Sequence, residues 1–284
     1  MLQIENLTFA YRRKAAPVLN DYSLTIDRGS VCGLLGRNGA GKSTLLYLIS
    51  GLLTPKSGRV LFNGVNTRLR KPSTLNDIFI LPEEFTLPPI SMDEYVKLNS
   101  RYYPKFSMDD LYGNLETFEL ERNLNLGQLS MGQKKKAFMS FALACNTSLL
   151  LMDEPTNGLD IPGKSRFRKI VVSSMTDDRS IIISTHQVRD IDRILDHIII
   201  TESNKVLLNE KVSNIISKLR FETTNDDAVI ARALYSQPSV EGMNVILRND
   251  DDCDTEMNLE SLFELSLNRP ELINQIFASK EGAE

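Results

Sequence analysis

Short apolar runs, each closed by a polar or glycine-rich segment, recur along the first two thirds of the chain. Val31 to Leu35 runs into Gly36, Ile78 to Leu81 into Pro82-Glu83-Glu84, Leu149 to Met152 into Asp153-Glu154, and Ile181 to Ile183 into Ser184-Thr185-His186. Ile198 to Ile200 and Val206 to Leu208 have the same character. Runs of this length without alternation predict strands buried on both faces, as in a parallel sheet covered by helices. The start of the chain differs. Leu2 to Phe9 alternates over its first positions and predicts an edge strand of an antiparallel sheet. Val18 to Ile26 predicts a second strand leading to the turn Asp27-Arg28-Gly29. Pro55 to Gly58 predicts a turn, and Val60 to Phe62 a strand ending at the hairpin signal Asn63-Gly64.

Helical spacing dominates between residues 85 and about 145. Ser91 to Glu94 matches a capping box, and Ser107 precedes Leu111, Leu115 and Phe118 on one face. Ser130 to Gln133 is a second capping box, opening a helix through Phe141. The segment is expected to be a helical insertion in an α/β core. From residue 221 the character changes again: Thr223 to Asp227 is polar, Val245 to Leu247 predicts a strand, and Asn258 starts a helix with Leu259, Leu262 and Phe263 on one face. The expected division is a domain over 1–220 and a small acidic extension over 221–284.

The most specific chemistry lies at Gly36-Arg37-Asn38-Gly39-Ala40-Gly41-Lys42-Ser43, which fits the phosphate-loop pattern G-x-x-x-x-G-K-[ST]. Glycines let successive N–H groups curl round a phosphate without Cβ clashes. Lys42 supplies a point charge for the β- and γ-phosphates, Ser43 can ligate Mg²⁺, and the helix from Leu45 to Ile49 turns its N-terminal dipole toward the anion. Asp153 and Glu154 follow a buried strand, at the sheet edge where open α/β folds bind ligands. Asp153 can hold Mg²⁺ through water, and Glu154 can deprotonate the attacking water. His186 emerges at the same edge, whereas His197 has no such placement and reads as structural. Ser130, Gly132 and the lysines after them fit either an anion site or a capped surface helix with a solvated basic turn, and the residues alone favour the second. Tyr11 could stack on adenine or simply end its strand. Asp250, Asp251, Asp252, Asp254 and Glu256 lack the spacing of a Ca²⁺ loop and read as solvated.

Taken in order, these motifs resemble the nucleotide-binding subunit of an ATP-binding cassette (ABC) transporter over residues 1 to about 220. Tyr11 falls at the family's A-loop aromatic, Gly36 to Thr44 at Walker A, and Glu83 at the Q-loop position. Leu129 to Gln133 matches the signature, Leu149 to Glu154 Walker B, Asn157 to Asp160 the D-loop, and His186 the switch histidine. The resemblance implies a P-loop NTPase core with a mostly parallel sheet, an N-terminal antiparallel β-subdomain, the helical insertion and the C-terminal extension. It also implies Mg²⁺-dependent ATP hydrolysis, with Glu83 joining Ser43 and Asp153 at the metal and Thr44 at the nucleotide. Two subunits would close head to tail over two ATP molecules, with Ser130 and Gly132 of one capping the γ-phosphate held by the other. The second subunit would be another copy or a homologous cassette, and polytopic membrane permease subunits would convert closure into transport. Two positions depart from the family pattern: Met131 stands where Gly is usual, and Glu83 where Gln is usual.

Composition narrows the class. The 284 residues are 42% hydrophobic, with no apolar stretch long enough for a membrane span and no signal-peptide pattern at the start. A peripheral protein on the cytoplasmic face of the inner membrane is expected. Cys32, Cys145 and Cys253 lack metal or redox spacing, and two histidines are too few for a histidine-rich metal site. From Phe221 onward 14 acidic and 4 basic residues give −10, so residues 1–220 carry +6 against a total of −4. A mildly basic body suits nucleotide and an anionic membrane surface. A soluble cassette acting on ribosomes or DNA, with two cassettes or a long insertion, is the main rival, followed by a nucleotide-sensing regulator. One cassette without a cysteine cluster favours transport with no nucleic-acid partner, and the extra C-terminal region favours export.

Overall fold

The computed structural model describes residues 1–251 and 253–278. Asp252 of the acidic loop lies outside the described residues. In chain order, β1 (Leu2–Phe9), β2 (Leu19–Ile26) and β3 (Val31–Leu35) lead to α1 (Lys42–Ile49). Then come β4 (Ser57–Phe62), β5 (Val65–Asn66), the single turn α2 (Pro72–Leu75) and β6 (Ile78–Leu81). The helical insertion carries α3 (Met92–Asn99), α4 (Met108–Thr117) and α5 (Met131–Ala144). The core resumes with β7 (Leu149–Asp153), α6 (Ile161–Ser173), β8 (Ser180–Thr185), β9 (His197–Glu202) and β10 (Lys205–Lys211). Then follow α7 (Val212–Lys218), β11 (Leu219–Thr224), α8 (Asp227–Ile230), β12 (Tyr235–Ser239), β13 (Gly242–Arg248), α9 (Leu259–Asn268) and α10 (Pro270–Phe277).

The central sheet has the order β10-β9-β3-β8-β7-β6, parallel throughout except for the antiparallel edge strand β10. Its parallel strands are buried on both faces, so their period-2 geometry sorts neighbours into two cores. Cys32, Leu34, Leu149, Leu151, Ile182 and Ile199 meet α1 and the N-terminal sheet on one side. Val31, Leu35, Leu150, Met152, Ile181, Ile183, Ile198 and Ile200 meet the insertion and α6 on the other. That second core does not stop at residue 220. Phe221, Ile246, Leu259, Leu262, Leu265, Ile273 and Ile276 belong to the same cluster. No helix among the described residues is long and apolar enough to cross a membrane.

Several expectations are corrected here. Leu2 to Phe9 is not an edge strand: the N-terminal sheet runs β2-β1-β4-β5, so β1 pairs on both sides. Alternation reports a sheet with one polar face, which interior antiparallel strands share with edges. Ser57 and Gly58 lie in β4 rather than a turn, where the ladder with β1 shifts register between Glu5 and Thr8. Only half of the Ser91 capping box forms, the Ser91 hydroxyl accepting from the Glu94 N–H at 3.2 Å. Phe263 is half-buried, and Leu265 takes the buried position with Leu259 and Leu262. Thr223 and Thr224 end β11, which pairs with β13 in the sheet β11-β13-β12.

Candidate active site

Four strand ends converge. β3 delivers the phosphate loop, β6 Glu83, β7 Asp153 and Glu154, and β8 Ser184 to His186, all at the C-terminal edge of the parallel sheet. Gly39 and Gly41 take φ values of +85° and +93°, a left-handed backbone costly for residues with a Cβ. A Cβ at Gly39 would meet nothing within 4 Å, so the loop is an open cradle. Gly41 caps α1 without a side-chain acceptor, leaving first-turn N–H groups for an external anion. Loop and helix start together fit a polyphosphate.

Lys42, Asp153 and Glu154 are only 7%, 2% and 4% exposed, so each charge needs partners. Lys42 Nζ donates to the Gly36 carbonyl at 2.8 Å and lies 3.8 Å from Glu154 Oε1. Burial lowers its pKa from the ordinary lysine value, opposed by the charges of Glu154, Asp153 and Glu83. Asp153 Oδ1 accepts from the Ser184 hydroxyl. The Glu154 N–H donates to the Ser184 carbonyl at 3.0 Å, and Glu154 Oε1 lies 2.8 Å from His186 Nδ1. Glu154 Oε2 is buried with no hydrogen-bond partner among the described residues, an acceptor available to an incoming donor. Glu154 also has φ +44°, strain of the kind that accumulates at functional sites. Ser43, next to the loop, supplies a hydroxyl, and with Asp153 this oxygen set suits Mg²⁺.

Glu83 reaches the site indirectly. Its Oε1 accepts from Asn157 Nδ2 at 3.0 Å, and Asn157 Oδ1 accepts from Gln187 Nε2 at 3.2 Å. Tyr11 is 62% exposed, with its hydroxyl 2.9 Å from Thr44 Oγ1 and its ring edge-on to Phe9 at 5.0 Å. It thus lies beside the start of α1, largely exposed. Ser130 caps α5 in a complete capping box with Gln133, and Met131 beside it is 67% exposed. Among the described residues no hydrogen bond or ion pair joins Ser130 or Gly132 to the phosphate loop of the same chain. His197 is packed away, 8% exposed, its Nε2 2.8 Å from Asn209 Oδ1.

One neighbour was not anticipated. The lysines after Gln133 do not form a uniformly solvated turn: Lys135 is 5% exposed. Its Nζ donates to the carbonyls of Glu154 at 2.7 Å and Asn157 at 3.0 Å. Burial lowers its pKa too, opposed first by Glu83 and then by Glu154 and Asp153. A signal existed. Lys135 precedes the buried Met139 and Ala142 by four and seven residues, which extends their stripe inward by one turn.

With this geometry in view, the comparisons with known proteins agree. A family model described as "ABC transporter" matches residues 19–157. The ABC transporter ATP-binding protein YtrB of Bacillus subtilis is 34% identical over 192 residues, 66% of this chain and 65% of its own length. The SkfA peptide export ATP-binding protein SkfE of Bacillus subtilis is 30% identical over 216 residues, 73% of this chain and 87% of its own. A solved dimeric ATP-binding cassette, in a post-hydrolysis state bound to ADP and Pi, superposes with a TM-score of 0.65 at 25% identity, covering 75% of this chain and 99% of that one. With its phosphate loop and buried acids on this sheet, the chain belongs to the ABC transporter ATP-binding proteins and is a transport ATPase of that family.

Proposed function

We propose that the chain hydrolyses ATP at a site shared between two cassettes, and that closing and opening of this dimer drives an exporter. The carrying observation is the Glu154 carboxylate, buried at the mouth of the phosphate loop between His186 Nδ1 at 2.8 Å and Lys42 Nζ at 3.8 Å. In this assignment Gly36 and Asn38 to Thr44 hold the phosphates, Lys42 neutralises them, and Tyr11 stacks on the base. Ser43, Asp153 and Glu83 would hold Mg²⁺, which supplies positive charge to the phosphate oxygens when bound. Glu154 takes the proton of the attacking water as its oxygen bonds to the γ-phosphorus and the bond to the bridging oxygen breaks, releasing ADP and phosphate. His186 orients Glu154 and the γ-phosphate. Ser130 and Gly132 act on the nucleotide of a second copy or a homologous cassette, in keeping with their separation from their own loop.

The solved dimeric relative bound to ADP and Pi supports pairing, and the relative named for peptide export supports the direction. We assign residues 1–220 to the ABC ATPase domain, with its helical part at about 85–145, and 221–284 to a C-terminal extension. The partners are polytopic permease subunits, the location is the cytoplasmic face of the inner membrane, and nucleic acid is not a partner. Replacing Glu154 by Gln should lower turnover by roughly 10²–10⁴-fold, the weight of a general base, and trap an ATP-bound dimer visible by size-exclusion chromatography. Unchanged turnover would remove Glu154 from this role. The trapped protein should co-purify from native membranes with a polytopic protein, and recovery with ribosomes instead would overturn the transport assignment.

A further inference from the structure

The turn that carries the proposed general base has an unusual backbone support. Glu154 leaves β7 in the left-handed region, and the chain bends back so that the Asn157 N–H donates to the Glu154 carbonyl at 3.2 Å. Both outward carbonyls of this bend, those of Glu154 and Asn157, are met by one ammonium, Lys135 Nζ at 2.7 and 3.0 Å. The lysine comes from the helix that Ser130 caps, 19 and 22 residues away in sequence. Among the described residues no hydrogen bond or ion pair joins it to the phosphate loop or to the Glu154 carboxylate. The side chain of Asn157 in turn holds Glu83 at 3.0 Å, so the same bend fixes the relation between two carboxylates of the site.

We propose that Lys135 is a positioning residue for hydrolysis: by bridging the Glu154 and Asn157 carbonyls it holds Glu154 in its strained backbone conformation, with the carboxylate aimed at the γ-phosphate position. The inference rests on the general-base role of Glu154 proposed above. Without the bridge the Asn157 carbonyl loses its Lys135 donor and the Glu154 carbonyl keeps only the Asn157 N–H at 3.2 Å, so the bend gains by rotating Glu154 out of the left-handed region. A misplacement of about 1 Å at a reacting group can cost about 100-fold in rate. Nucleotide affinity, set at the phosphate loop and Tyr11, is not expected to follow.

The test uses the purified full-length chain and steady-state ATPase kinetics in two backgrounds. Lys135→Met should lower kcat by roughly 10–100-fold, as supporting residues of active sites do, with KM for ATP within about threefold of wild type, the signature of an interaction lost after binding. Lys135→Gln restores two N–H donors without the charge and should recover most of the lost kcat. In the Glu154→Gln background the Lys135→Met change should cost less than about threefold further, because residues acting through one group are non-additive. An equal fold-loss in both backgrounds, or a kcat for Lys135→Met within about twofold of wild type, overturns the proposal while leaving Glu154 as the base. Full turnover in Glu154→Gln alone overturns the general-base assignment instead. If Lys135→Met does not fold, as seen by circular dichroism, Lys135→Ala takes its place in the same cycle. If that also fails to fold, Lys135→Gln decides, since loss of kcat with donors restored contradicts the bridge.

Discussion

Leu262 tests whether residues beyond 220 are an appendage or part of the main core. It is fully buried on α9, which packs against β9, β10, β12, β13 and the segment Val188–Asp190 just after His186. It shares one hydrophobic cluster with Ile183, Ile198 and Ile200 of the central sheet. Leu262→Ala removes three carbons from a site walled on one side by the sheet, which limits collapse, so a cost of about 2–5 kcal/mol is expected. For a chain of this size each kcal/mol moves Tm by about 2–4 °C, giving a fall of roughly 4–20 °C. The chain has no Trp, so unfolding is followed by far-UV circular dichroism, and hydrogen exchange reports location. One cooperative transition should persist, with β8, β9 and β13 losing protection together. The reasoning fails if 219–278 melts in a separate step while β8 and β9 keep wild-type protection, or if the loss is under about 1 kcal/mol. The ion pair Arg189–Glu260 spans the same junction at 2.5 Å, but Arg189 is largely exposed and the pair adds at most about 1 kcal/mol. The apolar contact therefore decides the outcome.

Three further outcomes are expected. Phe141, 1% exposed, lies 5.0 Å from the Tyr95 ring and 5.4 Å from that of Phe106, so Phe141→Ala should cost about 3–5 kcal/mol in urea unfolding and loosen the insertion first. Tyr11→Ala should raise KM for ATP by the loss of a stacking contact, about 1–3 kcal/mol or roughly 5–150-fold, while Tyr11→Phe, which loses only the bond to Thr44, stays near wild type. Unchanged KM in the Ala variant would leave Tyr11 as a strand-end aromatic. Burial lowers the pKa of His197 below 6.5, partly offset by Asn209. Between its lowered folded pKa and 6.5 the unfolded chain binds the proton and the folded chain does not, so stability falls as pH drops below 6.5. His197→Gln should therefore show a shallower fall in Tm between about pH 7 and pH 5 than wild type.

The active-site edge was legible because it is written as a change of polarity. A strand buried on both faces can carry charge only where it leaves the sheet, so Leu149 to Met152 followed by Asp153-Glu154, and Ile181 to Ile183 followed by His186, point to one edge. The same rule is silent where a strand has one wet face. Tyr235–Ser239 has no fully buried residue and contains Pro238, which a sheet accepts only where no ladder N–H is needed. It is the edge strand β12, and only its pairing with β13 makes it a strand. Composition is silent on packing at the C-terminus for a related reason. The net −10 from Phe221 onward says nothing of how the extension packs, whereas its place in the fold is set by the few apolar positions that join the central core.

Lys135 is the sharper case, because charge and burial point opposite ways in one residue. Three consecutive lysines look uniformly wet, yet successive helical residues are turned by about 100°, so they cannot all face solvent on a helix with one buried face. Lys135 lies on the inward stripe, and its ammonium is tolerable there only because two carbonyls receive it. Those carbonyls are turned toward Lys135, the Glu154 one accepting from the Asn157 N–H as well, because Glu154 leaves β7 in a left-handed turn. The buried lysine and the strained acid therefore explain each other, and neither is intelligible without the fold that brings them together.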